Sequence, residues 1–94
     1  MMNESPPGSD PPTFLLFVAG DSPNSRAAIA NVNRALLTIG GAVADVEIVD
    51  VYEQPDRAAA ARVLVTPTLL RRSNPQPRVI GDLSIPGSLV DFLR

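Results

Sequence analysis

The residues that could do chemistry in this chain are few. Its 94 residues include no cysteine and no histidine, which excludes thiol chemistry, disulfides, zinc sites and an imidazole base together. What remains, just after Gly20, is a cluster of short polar side chains, Asp21, Ser22, Asn24 and Ser25 in the stretch GDSPNS. They stand where an apolar run gives way to a helix, and a helix N-terminus attracts anions. Ser22 acting simply as the helix cap accounts for the same residues. The other available chemistry is cationic. All eight basic side chains are arginines, suited to bidentate contacts with a partner's carboxylates. A genome that avoids lysine codons explains them equally well. With a net charge of −2 and no basic cluster beyond Arg71–Arg72, no field draws the chain to nucleic acid or to an anionic membrane.

The elements that must position these residues can be read along the chain. At 45% apolar residues it folds as one domain with a modest core. The start, MMNESPPGSDPP, is too polar for a signal peptide, and no apolar run approaches the ~20 residues of a membrane span. We therefore expect a disordered tail over residues 1–12, one folded domain over 13–94, and a cytoplasmic location. TFLLFVAG (13–20) is an unbroken apolar run, the pattern of a central strand covered on both faces. A helix follows, capped by Ser22, opened by Pro23 and closed by Gly40–Gly41, with Ile29, Val32, Leu36 and Ile39 as its core stripe. In AVADVEIVDV (42–51), Ala44, Val46 and Ile48 alternate with Asp45 and Glu47, as in a strand nearer an edge. Strand, helix and strand make a βαβ unit.

The second half holds PDRAAAARVL as an alanine-rich helix, RSNPQP as a turn cluster, and RVI (78–80) as a short strand. A final helix is capped by Ser88 and Asp91 and carries Leu89, Val90 and Leu93, with Gly87 weakening any earlier start. One stretch resists this reading. RVLVTPTLLRR (62–72) has strand composition, but Pro67 in its middle cannot donate to a ladder.

The order βαβ, then α, β, β, α is that of the thioredoxin fold, an α/β architecture with a cis-proline at the start of its third strand. Pro67 can then begin a strand, and Val63–Val65 belong to the preceding helix and loop. Three segments resemble the KaiB family of circadian clock proteins. FVAGDSPNS is similar to the family's Y-V-A-G-N-T-P-N-S. IVDVYEQPDRAAAARVLVTPTLL is similar to I-D-V-x-x-N-P-x-x-A followed by I-L-A-T-P-T-L, and RVIGDLS to R-x-I-G-D-L-S. The chain departs from the pattern in SNPQP, where the family has a proline triplet, and in Pro86 and Gly87 of the last helix.

The resemblance implies a non-catalytic protein without cofactor that binds a KaiC-like ATPase. KaiA or a SasA-like histidine kinase are its further implied partners, and a dimer or tetramer its implied homo-oligomer. The family is known for two folds, a tetrameric ground state and a thioredoxin-like monomer that binds KaiC. The first half is common to both, and residues 52–94 would be rebuilt in the alternative. Each segment here reads most naturally in the thioredoxin-like order. Arg62 aligns with a basic residue that KaiB uses against KaiC, and Arg57 and Tyr52 lie near enough to join it. A solvated charge at a helix end is the plainer reading of Arg62. Pro67 is expected as a structural cis-proline, and Gly81 with Asp82 as a turn that needs glycine for its backbone. Competing functions are a SasA-like sensor domain, another thioredoxin-fold binding module, or a glutathione-type enzyme in which Ser22 or Ser25 steers a thiolate.

Overall fold

Four strands form a single sheet with helices on both faces. The structure is a computed structural model that describes residues 11–42, 45–81, 83, 84 and 86–94. The elements are β1 (Phe14–Val18), α1 (Pro23–Thr38), β2 (Val46–Asp50), α2 (Pro55–Ala60), β3 (Thr68–Arg71), β4 (Arg78–Ile80) and α3 (Pro86–Leu93). The strand order is β2-β1-β3-β4. β1 runs parallel to β2 and antiparallel to β3, and β4 is antiparallel to β3. This is the thioredoxin-like order expected from the chain. The Thr66–Pro67 peptide bond is cis, and β3 begins at the next residue.

β1 is central because every residue in it is apolar and buried. Phe14, Leu16 and Val18 face α1 and α3, while Leu15 and Phe17 face α2. Full burial of each large side chain contributes about 1.5–3 kcal/mol. In α1, Ser22 caps the first turn and Pro23 opens it. Ala28 and Ala35 lie in the buried stripe with Val32 and Leu36, and Ile29 and Ile39 flank it half-buried. The helix ends in a Schellman motif: Gly40 adopts φ +78°, its N–H donates to the Leu37 carbonyl at 3.2 Å, and the Gly41 N–H donates to that of Leu36 at 2.8 Å.

Several local expectations are corrected. β2 is an edge strand, but both its faces are partly covered: Val46 joins the α1 side and Val49, fully buried, joins the α2 side. Ile48, grouped with Val46 by the alternation, is left 40% exposed on this edge strand. Ala44 lies outside the described residues. The alanine-rich helix stops at Ala60, short of Leu64. α3 starts at Pro86, ahead of Ser88, consistent with the fixed φ of proline at a first helical position. Ser88 and Asp91 therefore sit inside that helix and do not cap it.

Candidate functional site

The two serines of the polar cluster at the start of α1 are consumed by the fold. Ser25 is buried; its hydroxyl accepts from the Ala19 N–H at 3.1 Å and from the Ser22 hydroxyl at 2.8 Å. The Ser22 oxygen in turn accepts from the Ser25 N–H at 3.2 Å. Both hydroxyls close the β1–α1 junction. Asp21 faces Arg26 at 3.7 Å on the open surface, a contact worth little.

The other end of α2 is different. Ala61 caps the helix and Arg62 adopts φ +56°. The Arg62 N–H donates to the Ala59 carbonyl at 3.1 Å and the Val63 N–H to that of Ala58 at 2.9 Å, which is the same Schellman pattern that ends α1. In α1 a glycine holds the left-handed position; here an arginine does, at a cost of roughly 1 kcal/mol or more. Arg78 of β4 lies over this corner. Its guanidinium donates to the carbonyls of Ala61 at 3.1 Å, Arg62 at 3.1 Å and Pro75 at 2.8 Å. The Arg62 guanidinium itself makes no hydrogen bond or ion pair among the described residues.

Beyond Arg62 the loop turns two apolar side chains outward. Val63 packs inward against the α2-side core, but Leu64 is 92% exposed and Val65 49%. Tyr52, 74% exposed, lines the same groove of about 200 Å³ with Leu64, Val65 and Thr66. The loop is pinned from below, since the Thr68 hydroxyl donates to the Val65 carbonyl at 2.6 Å. Asp50 sets the backbone of the other wall: its Oδ1 accepts from the N–H groups of Gly20 at 3.2 Å and Tyr52 at 2.9 Å. The Tyr52 ring lies so close to Gly20 that a Cβ there would meet it at 3.4 Å.

The structure thus brings Tyr52 and the Arg62 loop to one corner of the molecule but assigns Arg57 elsewhere. Arg57 makes a bidentate pair with Glu47 of β2, through its Nη1 and, at 3.0 Å, its Nη2; Arg72 adds a contact at 3.2 Å. Hydrogen bonds from Arg57 hold the Glu47 carboxyl below the usual range, and the same bonds raise the Arg57 guanidinium. Glu47, on the charged face of the alternation, ties β2 to α2. Pro67 is buried, and its carbonyl accepts from the Gly81 N–H at 3.0 Å. Gly81 has φ +108°, a region open essentially to glycine. Asp82 lies outside the described residues. The chain's own pattern missed Leu64 and Val65, whose apolar character reads as burial.

Residues 15–94 match the KaiB domain. This chain belongs to the KaiB family. It is 44% identical over 70 residues to the circadian clock protein KaiB3 of Synechocystis sp., covering 73% of this chain and 69% of that protein. It is 40% identical over 70 residues to the circadian clock oscillator protein KaiB of Acaryochloris marina, with 73% and 67% covered. Among solved structures it resembles mitochondrial thioredoxin 3 from Saccharomyces cerevisiae, with a TM-score of 0.63 at 22% identity over 89% of this chain and 77% of the thioredoxin. That likeness shows the fold alone. Among the described residues no helix is long and apolar enough to cross a membrane.

Proposed function

We propose that this KaiB-family protein is a non-catalytic clock or signalling component of the cytoplasm that docks on a KaiC-type ATPase. It binds in the thioredoxin-like form, through Tyr52, Arg62, Leu64 and Val65. The observation that carries this reading is the juxtaposition of a 92% exposed leucine and an exposed tyrosine around one groove, on the loop that follows an arginine whose guanidinium makes no hydrogen bond or ion pair among the described residues. Exposed apolar side chains gathered in one place mark interaction sites, and tyrosine and arginine dominate the energetics of such interfaces. Arg62 lies on this corner and also aligns with the family's basic contact to KaiC. A SasA-like histidine kinase or a KaiA protein would meet the complex on the same ATPase.

A glutathione-type enzyme is disfavoured, because the serines at the dithiol position are spent on each other and on Ala19. Calorimetric titration with the KaiC-type ATPase of the same genome, in parallel with glutathione, tests the proposal. Saturable binding to the ATPase and none to glutathione is expected; the reverse pattern, or no ATPase binding in any nucleotide state, overturns it.

A further inference from the structure

We infer that Arg78 is a positioning residue for the docking corner: its guanidinium, spread over three carbonyls, holds Arg62 in the left-handed conformation that presents it to a partner. The inference deepens the docking proposal and rests on it for its binding arm only.

The two Schellman motifs of this fold make an internal comparison. α1 ends on Gly40 at φ +78°, and α2 ends on Arg62 at φ +56°. The N–H of the left-handed residue and that of the residue after it make the same pair of hydrogen bonds at both ends. A glycine adopts this conformation freely, whereas an arginine needs its surroundings to impose it. At α2 the surroundings supply a latch. Arg78 donates to the carbonyls of Ala61 and Arg62, from a strand 17 and 16 residues further along the chain. These are the last carbonyls of α2 and its turn, the negative end of a helix where a cation is favourable. A third bond to the Pro75 carbonyl at 2.8 Å fixes the guanidinium from the other side. Three donors in one planar fork suit arginine and no other side chain.

The latch also joins the docking corner to the far edge of the sheet. Arg78 stands opposite Leu70 in the β3–β4 register, and Gly81, just beyond β4, donates to the Pro67 carbonyl at the base of the same loop. The corner is therefore built only when β4 is seated beside β3. Detaching β4 removes the guanidinium from the Arg62 turn and, with it, the presented arginine.

Amide hydrogen exchange of the free protein and calorimetric affinity for the KaiC-type ATPase test this on three variants. In Arg78→Ala, exchange at the Arg62 and Val63 amides should accelerate about tenfold, while the amides of Leu16, Phe17 and Leu69 stay as slow as in the wild type. Affinity should fall about tenfold. Arg78→Lys, which keeps the charge but lacks the fork, should recover only part of both. Adding Arg62→Gly to Arg78→Ala should restore slow exchange at Val63 without restoring affinity, because glycine needs no latch but offers no guanidinium. Unchanged exchange at Arg62 and Val63 in Arg78→Ala overturns the inference. So does acceleration spread evenly over the sheet, which would make Arg78 a general stabiliser. Local opening with undiminished affinity refutes the positioning role. Should the wild type itself fail to bind, the docking proposal falls and the exchange arm alone decides whether Arg78 holds the turn.

Discussion

Truncating Leu64 should separate docking from folding more cleanly than any other single change. At 92% exposure its side chain contributes almost nothing to the free protein, so Leu64→Ala should shift stability by less than about 0.5 kcal/mol. For a domain of this size that is no more than roughly 2–4 °C in Tm. If the side chain is buried on docking, complex formation gains the full transfer term for a leucine, about 1.5–3 kcal/mol. Trimming it to alanine forfeits most of this, about 1.5–2 kcal/mol, or about 10–30-fold in Kd. Titration calorimetry against the ATPase together with a thermal melt reads both quantities on one preparation. The contrast is Leu69, fully buried, where the same truncation should cost about 2–5 kcal/mol of stability. A Leu64→Ala affinity within twofold of the wild type would refute the reasoning. So would a Tm loss on the scale of Leu69→Ala, since Leu64 would then be holding the fold.

Three further changes follow from the geometry. Arg62→Gly relieves the left-handed arginine at φ +56°, so a small net gain of about 0.5–1 kcal/mol in stability should accompany weaker ATPase binding, and a loss of both would contradict the assignment. Gly81→Ala meets open space at φ +108°, so its cost is conformational only, about 1–3 kcal/mol; chemical denaturation with an unchanged midpoint would show that the turn tolerates a side chain. The Glu47 carboxyl is held low by Arg57, so its pair contributes stability that is present above the unfolded value of about 4.3 and lost as pH falls through the depressed folded value. Both partners are about a third exposed, which limits the contribution to about 0.5–1 kcal/mol. The stability gap between wild type and Glu47→Gln should thus close as the pH falls below about 4.3; a gap independent of pH would rule the pair out as its source.

The first half of the fold was legible because its signals are local and agree with one another. An unbroken apolar run, a serine cap, a proline at the first turn and a glycine pair all speak for the same strand and helix. The second half was legible in order but not in its ends. Four alanines continue a helix readily, and what stops α2 at Ala60 is a turn held by Arg78 from a distant strand, which no local pattern reveals. Of the candidate contacts, Tyr52 meets the loop that follows Arg62, while Arg57 is taken by Glu47, a pairing between residues on different elements. Val63, Leu64 and Val65 are alike in composition, yet Val63 packs inward and Leu64 and Val65 face outward, a distinction set by the turn at Arg62. The same limit applies to Ile48, grouped with Val46 by alternation but exposed at the sheet edge.

The docking corner can be tested most directly by a hydrogen-exchange footprint of the protein bound to the KaiC-type ATPase, compared with the free protein. Slowed exchange confined to residues 61–66 and Tyr52, with the exposed α1 residues Arg34 and Leu37 unchanged, is the expected result. Protection on α1 or along the β2 edge, with residues 61–66 exchanging as in the free protein, would contradict it.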